Sequence, residues 1–185
     1  MDQTDIINLL DSYDTRHEGL NAVREQDDIN NEVISKLVEC AIRESDPSYN
    51  GEYIKECIKH RSIHDISNLL LEKVVNGKKI EKIGALKALY HVRENRIITN
   101  FDNGTFYENP KYKNNKIEYK KRLNILKSEF VNCDNIVIKF FYQWAIPSEK
   151  GGILNGLPET DVDLIEKIKE DKELVALWND SKKWK

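Results

Sequence analysis

Cys57, His60 and His64 have the spacing in this sequence that most resembles a metal site. Thiolate and imidazole are the ligands that zinc prefers, and residues at i, i+3 and i+7 share one face of a continuous helix. Two features oppose such a site: Cys57 also fits an apolar stripe, and Ser62 has the form of a helix N-cap between the two histidines. We therefore predict no metal site and no cofactor.

The sequence contains no local motif of a known catalytic or nucleotide-binding site. It has no GxxxxGK[ST] loop, no GxGxxG, no HExxH and no GxSxG. His17 lies in a polar segment, and His91 lies beside a predicted core stripe without a recognisable nucleophile or orienting acid. Residues that only the fold brings together leave no local signature, so an enzyme with a scattered site remains an open alternative. The balance favours a protein that is not an enzyme.

Cations alternate with tyrosines between residues 107 and 122. Lysine and arginine give salt-dependent affinity for phosphate, and tyrosine can stack on a base. A sequence pI of about 5.9 opposes this function, and so does the lack of a recognised nucleic-acid motif. A helical-repeat protein that binds nucleic acid is therefore the alternative hypothesis. Its candidate contacts are Tyr112, Lys113, Lys116, Lys120, Lys121 and Arg122.

Charge is distributed unevenly along the chain. Residues 1–60 carry 14 acids and 6 bases, a net charge of −8, whereas residues 61–150 carry 10 acids and 17 bases, a net charge of +7. An acidic surface attracts a basic protein and raises the rate of association. We therefore predict a protein partner, in one version a basic toxin domain that this chain would neutralise as an immunity protein. The candidate contacts are Asp11, Asp14, Glu18, Asp27 and Asp28.

Length and composition indicate one helical domain over residues 1–185. The chain is 39% hydrophobic and 33% charged, and its eight glycines and four prolines are too few for a turn-dense β-sandwich. No apolar run approaches the roughly 20 residues that span a membrane, so we expect no membrane partner. The acidic N-terminus lacks the basic region of a signal peptide, and three widely spaced cysteines suit reduced thiols. These features predict a cytoplasmic protein.

Apolar residues at helical spacing predict an all-α fold. Residues 14–26 carry no clear pattern, residues 46–51 have the composition of a turn, and Asp102-Asn103-Gly104 predicts a small hairpin or an aromatic-bearing loop. The segment 135–146 suits a strand by composition, but its place after a capping Asp134 favours a helix. The predicted helices cover residues 4–13, 28–43, 52–60, 62–76, 78–95, 117–132 and 135–146, with a last one from Thr160.

Three of the predicted helical pairs resemble structural repeats: 28–43 with 52–60, 62–76 with 78–95, and 117–132 with 135–146. The segment LLLEKVVNGKKIEKIGALKALYHV, residues 69–92, resembles a HEAT-type repeat in its apolar helix, short polar turn and A-L-x-A-L run. That resemblance implies an α-solenoid of stacked antiparallel helical hairpins with a curved surface for binding proteins. An irregular α-bundle is the alternative. The preferred function is a non-enzymatic protein-binding module.

Overall fold

A computed structural model describes the backbone of residues 1–44, 46–92, 97–100, 105–108 and 110–146, and the side chains of these except 47, 48, 97–116, 136, 140 and 143. The helix expected from Thr160 lies outside the described residues. The described part is predominantly α-helical, as predicted. Its helices are α1 (Gln3–Asp11), α2 (Arg16–Arg24), α3 (Asn31–Arg43), α4 (Pro47–His60), α5 (Ile63–Asn76), α6 (Lys79–Leu89), α7 (Pro110–Asn132) and α8 (Ile136–Ala145).

Between α6 and α7 lie a short 3₁₀ turn and a hairpin. The 3₁₀ turn covers Tyr90–Val92, and the antiparallel strands β1 (Ile97–Asn100) and β2 (Thr105–Glu108) pair with Ile97 opposite Glu108. The turn predicted at Asp102-Asn103-Gly104 lies outside the described residues. No helix in the described residues combines the length and the apolarity that crossing a membrane would take.

The helix starts follow side-chain caps in α3, α5 and α8. The Ser62 Oγ accepts a hydrogen bond from the Asp65 amide at 3.1 Å, so the predicted cap of α5 is confirmed. The cap predicted for α8, Asp134, is wrong by one residue, since Asn135 caps this helix. Asn30 caps α3, two residues after its predicted start at residue 28. Aspartate and asparagine cap equally well, and packing of the neighbouring residues selects between them.

Several predicted helix boundaries are wrong. The structure starts α4 at Pro47, where the sequence predicted a turn, and α7 at Pro110 instead of residue 117. Proline suits the first position of a helix because its missing N–H has no helical partner there. The unassigned segment 14–26 contains α2, and α6 ends at Leu89 instead of residue 95.

The first six helices form three consecutive pairs: α1 with α2, α3 with α4, and α5 with α6. The predicted pairs 28–43 with 52–60 and 62–76 with 78–95 are therefore present. The third predicted pair is weaker, because α8 packs more extensively on α6 than on α7. Helix α6 thus touches α3, α4, α5 and α8, and lies at the centre of the described part.

Small residues let α6 approach α3 closely. A side chain at Gly84 would overlap the backbone carbonyl of Ile42, and Ala85 and Ala88 beside it are fully buried. Buried apolar residues from α1 through α8 join in one continuous cluster. Its largest fully buried members include Ile6, Leu37, Tyr53, Ile66, Leu86, Phe130 and Tyr142.

Candidate functional site

The structure divides the five predicted partner-binding acids into two groups. Asp11 ends α1, Asp14 lies in the turn after it, and Glu18 lies in the first turn of α2; all three are exposed. Asp27 and Asp28 are also exposed, but they precede α3.

These two groups lie at opposite ends of α1. Gln3, at the start of this helix, donates a hydrogen bond from its Nε2 to the carbonyl of Asp28 at 3.4 Å. Asp11, at the other end, pairs with Lys36 Nζ at 2.7 Å. Nine helical residues span about 13 Å, so roughly this distance separates the two groups.

Two exposed tyrosines lie beside the first acidic group. Tyr13 is 70% exposed and its ring centroid lies 4.0 Å from the Arg16 guanidinium carbon. Tyr49 is 46% exposed and its ring lies 4.4 Å, centroid to centroid, from the ring of His17. Tyr13 and Tyr49 thus contact two adjacent residues, Arg16 and His17, and Asp14 and Glu18 are exposed in the same segment of the chain. We call Tyr13, Asp14, His17, Glu18 and Tyr49 the tyrosine patch.

A buried ion pair supports the tyrosine patch. Arg16 Nη2 lies 2.9 Å from Glu44 Oε2, and both side chains are almost completely removed from water. The other carboxylate oxygen of Glu44 accepts a hydrogen bond from the Asp46 amide at 3.0 Å, and its carbonyl accepts one from Lys87 Nζ at 2.9 Å. Burial lowers the pKa of the Lys87 amine, and Glu44 opposes that effect. These contacts fix the start of α2 to the end of α3 and to α6.

Other ionisable groups beneath the tyrosine patch are held neutral by burial. The Cys40 thiol donates to the carbonyl of Leu10 at 3.3 Å, and burial raises its pKa to about 11 although the Arg16 charge opposes the shift. Burial also raises the pKa of Tyr53 to about 12. A thiol with such a high pKa is a poor nucleophile near neutral pH, because the thiolate is the reactive form. The cluster therefore has a structural role and is unsuited to nucleophilic catalysis.

A groove of about 540 Å³ lies between α3 and α5. Its lining includes the buried Ile34 and Ile66, the 36% exposed Leu69, and the exposed Asp65 and Glu72 of α5. The groove exists because α3 and α5 each pack on their own hairpin partner and touch one another only sparsely. We call it the α3–α5 groove.

Arg61 forms one end of the α3–α5 groove, and its guanidinium is held in place by several acceptors. Its Nε and Nη2 donate to Asn31 Oδ1 at 3.1 and 2.9 Å. Further hydrogen bonds run from Nη1 to the carbonyl of His60 at 2.7 Å and from Nη2 to the carbonyl of Ile29 at 3.0 Å. With these acceptors, Arg61 serves as a wall of the groove.

The three residues with zinc-like spacing are separated by the fold. Cys57 is fully buried in α4, where burial raises the pKa of its thiol, and His60 ends that helix. His64 lies on α5, with its Nδ1 2.8 Å from Arg122 Nη1. Within the residues that the structure describes, no three histidine, cysteine, aspartate or glutamate side chains are grouped to hold a metal ion.

Of the candidate nucleic-acid contacts, the structure describes the side chains of Lys120, Lys121 and Arg122. Arg122 is 8% exposed and its guanidinium contacts His64, so it joins α7 to α5 and is not a surface cation as the sequence suggested. Lys121 is exposed but lies 2.8 Å from Glu118, and Lys120 is exposed beside it. The side chains of Tyr112, Lys113 and Lys116 lie outside the described residues, although all three residues belong to α7.

Sequence reasoning overlooked the tyrosines and the ion pair. Tyr13 and Tyr49 are 36 positions apart, and Arg16 and Glu44 are 28 apart, so no spacing rule connects them. The polar composition of residues 14–26 was the only available signal, and it indicated only a solvated segment. Comparisons with known protein families, curated proteins and solved structures give no match for this chain.

Proposed function

We propose that the protein is a non-enzymatic protein-binding module whose acidic N-terminal part receives a basic partner protein. The supporting observation is the tyrosine patch: two exposed tyrosine rings lie against Arg16 and His17, in a segment that also carries the exposed Asp14 and Glu18.

The tyrosine patch has the features of an interaction hot spot. Tyrosine provides a large contact area at a small cost in conformational entropy, and it is enriched among residues whose removal weakens binding most. Contact with Arg16, itself fixed by Glu44, holds the Tyr13 ring before a partner arrives. A side chain that is already ordered loses less entropy on binding.

The charge of the N-terminal part suggests the class of partner. Its net charge of −8 favours fast association with a basic protein and disfavours acidic ones. A nuclease toxin fits this class, because an enzyme that acts on nucleic acid carries a basic face. In that version the chain is an immunity protein, and a HEAT-like stack of its helical pairs provides the rigid surface.

A capture experiment with the full chain tests the proposal. Wild type, a Tyr13→Ala with Tyr49→Ala variant, and a Tyr90→Ala control are immobilised and exposed to an extract of the native host. Tyr90 is as exposed as Tyr49, 46%, but lies outside the patch. We expect wild type and control to retain a basic protein and the double variant to retain at least about tenfold less. Co-purification of nucleic acid or small molecules alone would refute the proposal.

A further inference from the structure

We propose that the α3–α5 groove binds an amphipathic helix of a partner protein, one with lysine or arginine flanking its apolar face. The inference takes one premise from the proposed function, namely that the partner is a basic protein. It assigns a second contact surface, distinct from the tyrosine patch.

The shape of the groove suits the apolar face of a short helix. Its volume of about 540 Å³ holds several aliphatic side chains, and its edge from Asp65 to Glu72 follows two turns of α5, about 10 Å. Leu69 lines the groove together with the buried Ile34 and Ile66, and it is 36% exposed, so it offers apolar surface to a partner. Amphipathic helices bind such grooves through residues at i, i+3, i+4 and i+7.

The charges around the groove select a basic helix. Asp65 and Glu72 are seven residues apart, so they project from the same face of α5, and both are exposed. Arg61 is the cation that lines the groove, and its donors are engaged by Asn31 and two backbone carbonyls. The exposed Asp28 carboxylate lies 3.9 Å from Arg61 Nη1 and offsets its charge further. A basic helix therefore meets the two exposed carboxylates of α5.

A synthetic peptide probe tests the inference on the full chain. The probe is a fluorescein-labelled helical peptide with leucine at i, i+3, i+4 and i+7 and lysine on either side, measured by fluorescence anisotropy at physiological salt. A glutamate-for-lysine peptide and a scrambled lysine peptide serve as controls. We expect a micromolar dissociation constant for the lysine peptide, and binding at least about tenfold weaker for the other two.

Two sets of variants locate the binding. Leu69→Asp should weaken binding of the lysine peptide at least about tenfold. Asp65→Asn with Glu72→Gln should weaken its binding about three- to tenfold. Glu25→Gln with Asp134→Asn makes the same change in net charge at two exposed residues outside both the groove and the tyrosine patch, so it should alter binding less than about twofold. If Leu69→Asp fails to fold by circular dichroism, the two charge variants decide the outcome.

Several results would overturn the inference. One is that the lysine peptide does not bind, as expected if the chain's own residues or a second copy fill the groove. Another is that the lysine and glutamate peptides bind equally well. The third is that the two charge variants weaken binding of the lysine peptide to the same extent. The proposed function fails by a separate result: the Tyr13→Ala with Tyr49→Ala variant would capture as much partner as wild type does. That experiment reports on the tyrosine patch, whereas peptide binding reports on the groove. Intact partner capture with failed peptide binding would remove this inference alone.

Discussion

Arg16 and Glu44 are opposite charges that the fold removes from water together, beneath an exposed tyrosine. A buried ion pair adds little net stability over an apolar pair of the same volume, but losing one partner leaves an uncompensated buried charge. We therefore expect Arg16→Met to lower the free energy of unfolding by about 3–5 kcal/mol, measured by urea denaturation. Lys121→Met, which breaks the exposed pair with Glu118, is the control and should cause no resolvable change.

The three cysteines should differ in reactivity because they differ in burial. Cys40 and Cys57 are buried in the core and burial raises the pKa of both thiols, whereas Cys133 is only partly buried. We expect iodoacetamide at pH 8 to modify Cys133 in the native protein and to reach all three residues only after denaturation. Peptide mapping by mass spectrometry measures the modification at each site. Rapid native labelling of Cys57 would contradict the placement of α4 in the core.

At the scale of the element, the sequence predicted those features that depend on neighbouring residues. The Ser62 cap opens α5 because it acts through the local backbone, and α5 ends at Asn76 as predicted. Gly77 after it has φ −74°, so it does not adopt the left-handed conformation that glycine favours at helix C-termini. Helix α2 was not predicted, since its nine residues include only a few apolar side chains, and contacts with α1 and α4 supply most of its stability. The start of α4 was mistaken for a turn because proline suits both positions.

Gly84 shows how an element can depend on a contact that its own sequence does not show. In an isolated helix, replacing glycine by alanine stabilises by about 1 kcal/mol. In α6 the added methyl group would overlap the rigid Ile42 carbonyl, so we expect Gly84→Ala to destabilise the fold by about 1–3 kcal/mol. In Gly51→Ala, the comparison variant, the methyl group meets the His91 ring at 2.7 Å, and a side chain can move aside more readily.

Thermal unfolding of the two glycine variants measures this difference. Gly84→Ala should have the lower melting temperature of the two and should also fall below wild type. A melting temperature for Gly84→Ala at or above that of wild type would mean that α3 and α6 do not approach as closely as the structure places them.

At the scale of the whole molecule, the sequence predicted the helical class and two helical pairs, but not how the pairs associate. The packing of α8 on α6 joins residues about 50 positions apart, and no local pattern records it. The acidic N-terminal part was also visible in the sequence. The three-dimensional arrangement separates the predicted acids into two groups at opposite ends of α1. It also brings the ring of Tyr49 to His17, next to only one of these groups.

The buried thiols and phenols make the stability of the whole molecule sensitive to alkaline pH. The folded state raises the pKa of Cys40 from 9.0 to about 11. Between these values the unfolded chain binds fewer protons than the folded one, so stability decreases as pH rises. For Cys40 alone the decrease approaches about 2 kcal/mol by pH 11. Burial of Tyr53, which raises its pKa to about 12, extends the loss to higher pH.

A comparison of cysteine variants isolates the contribution of Cys40 to this loss. Urea denaturation at pH 8 and pH 10.5 gives the decrease in the free energy of unfolding for wild type, Cys40→Ala and Cys133→Ala. Cys40→Ala should be less stable at pH 8 because it leaves a cavity, yet its pH-dependent decrease should be smaller than that of wild type by about 2 kcal/mol. Cys133→Ala should keep the wild-type decrease. An equal decrease in all three proteins would show that Cys40 is not held neutral beneath the tyrosine patch, and that the ends of α1 and α3 pack less closely than the 3.3 Å contact between Cys40 and Leu10 requires.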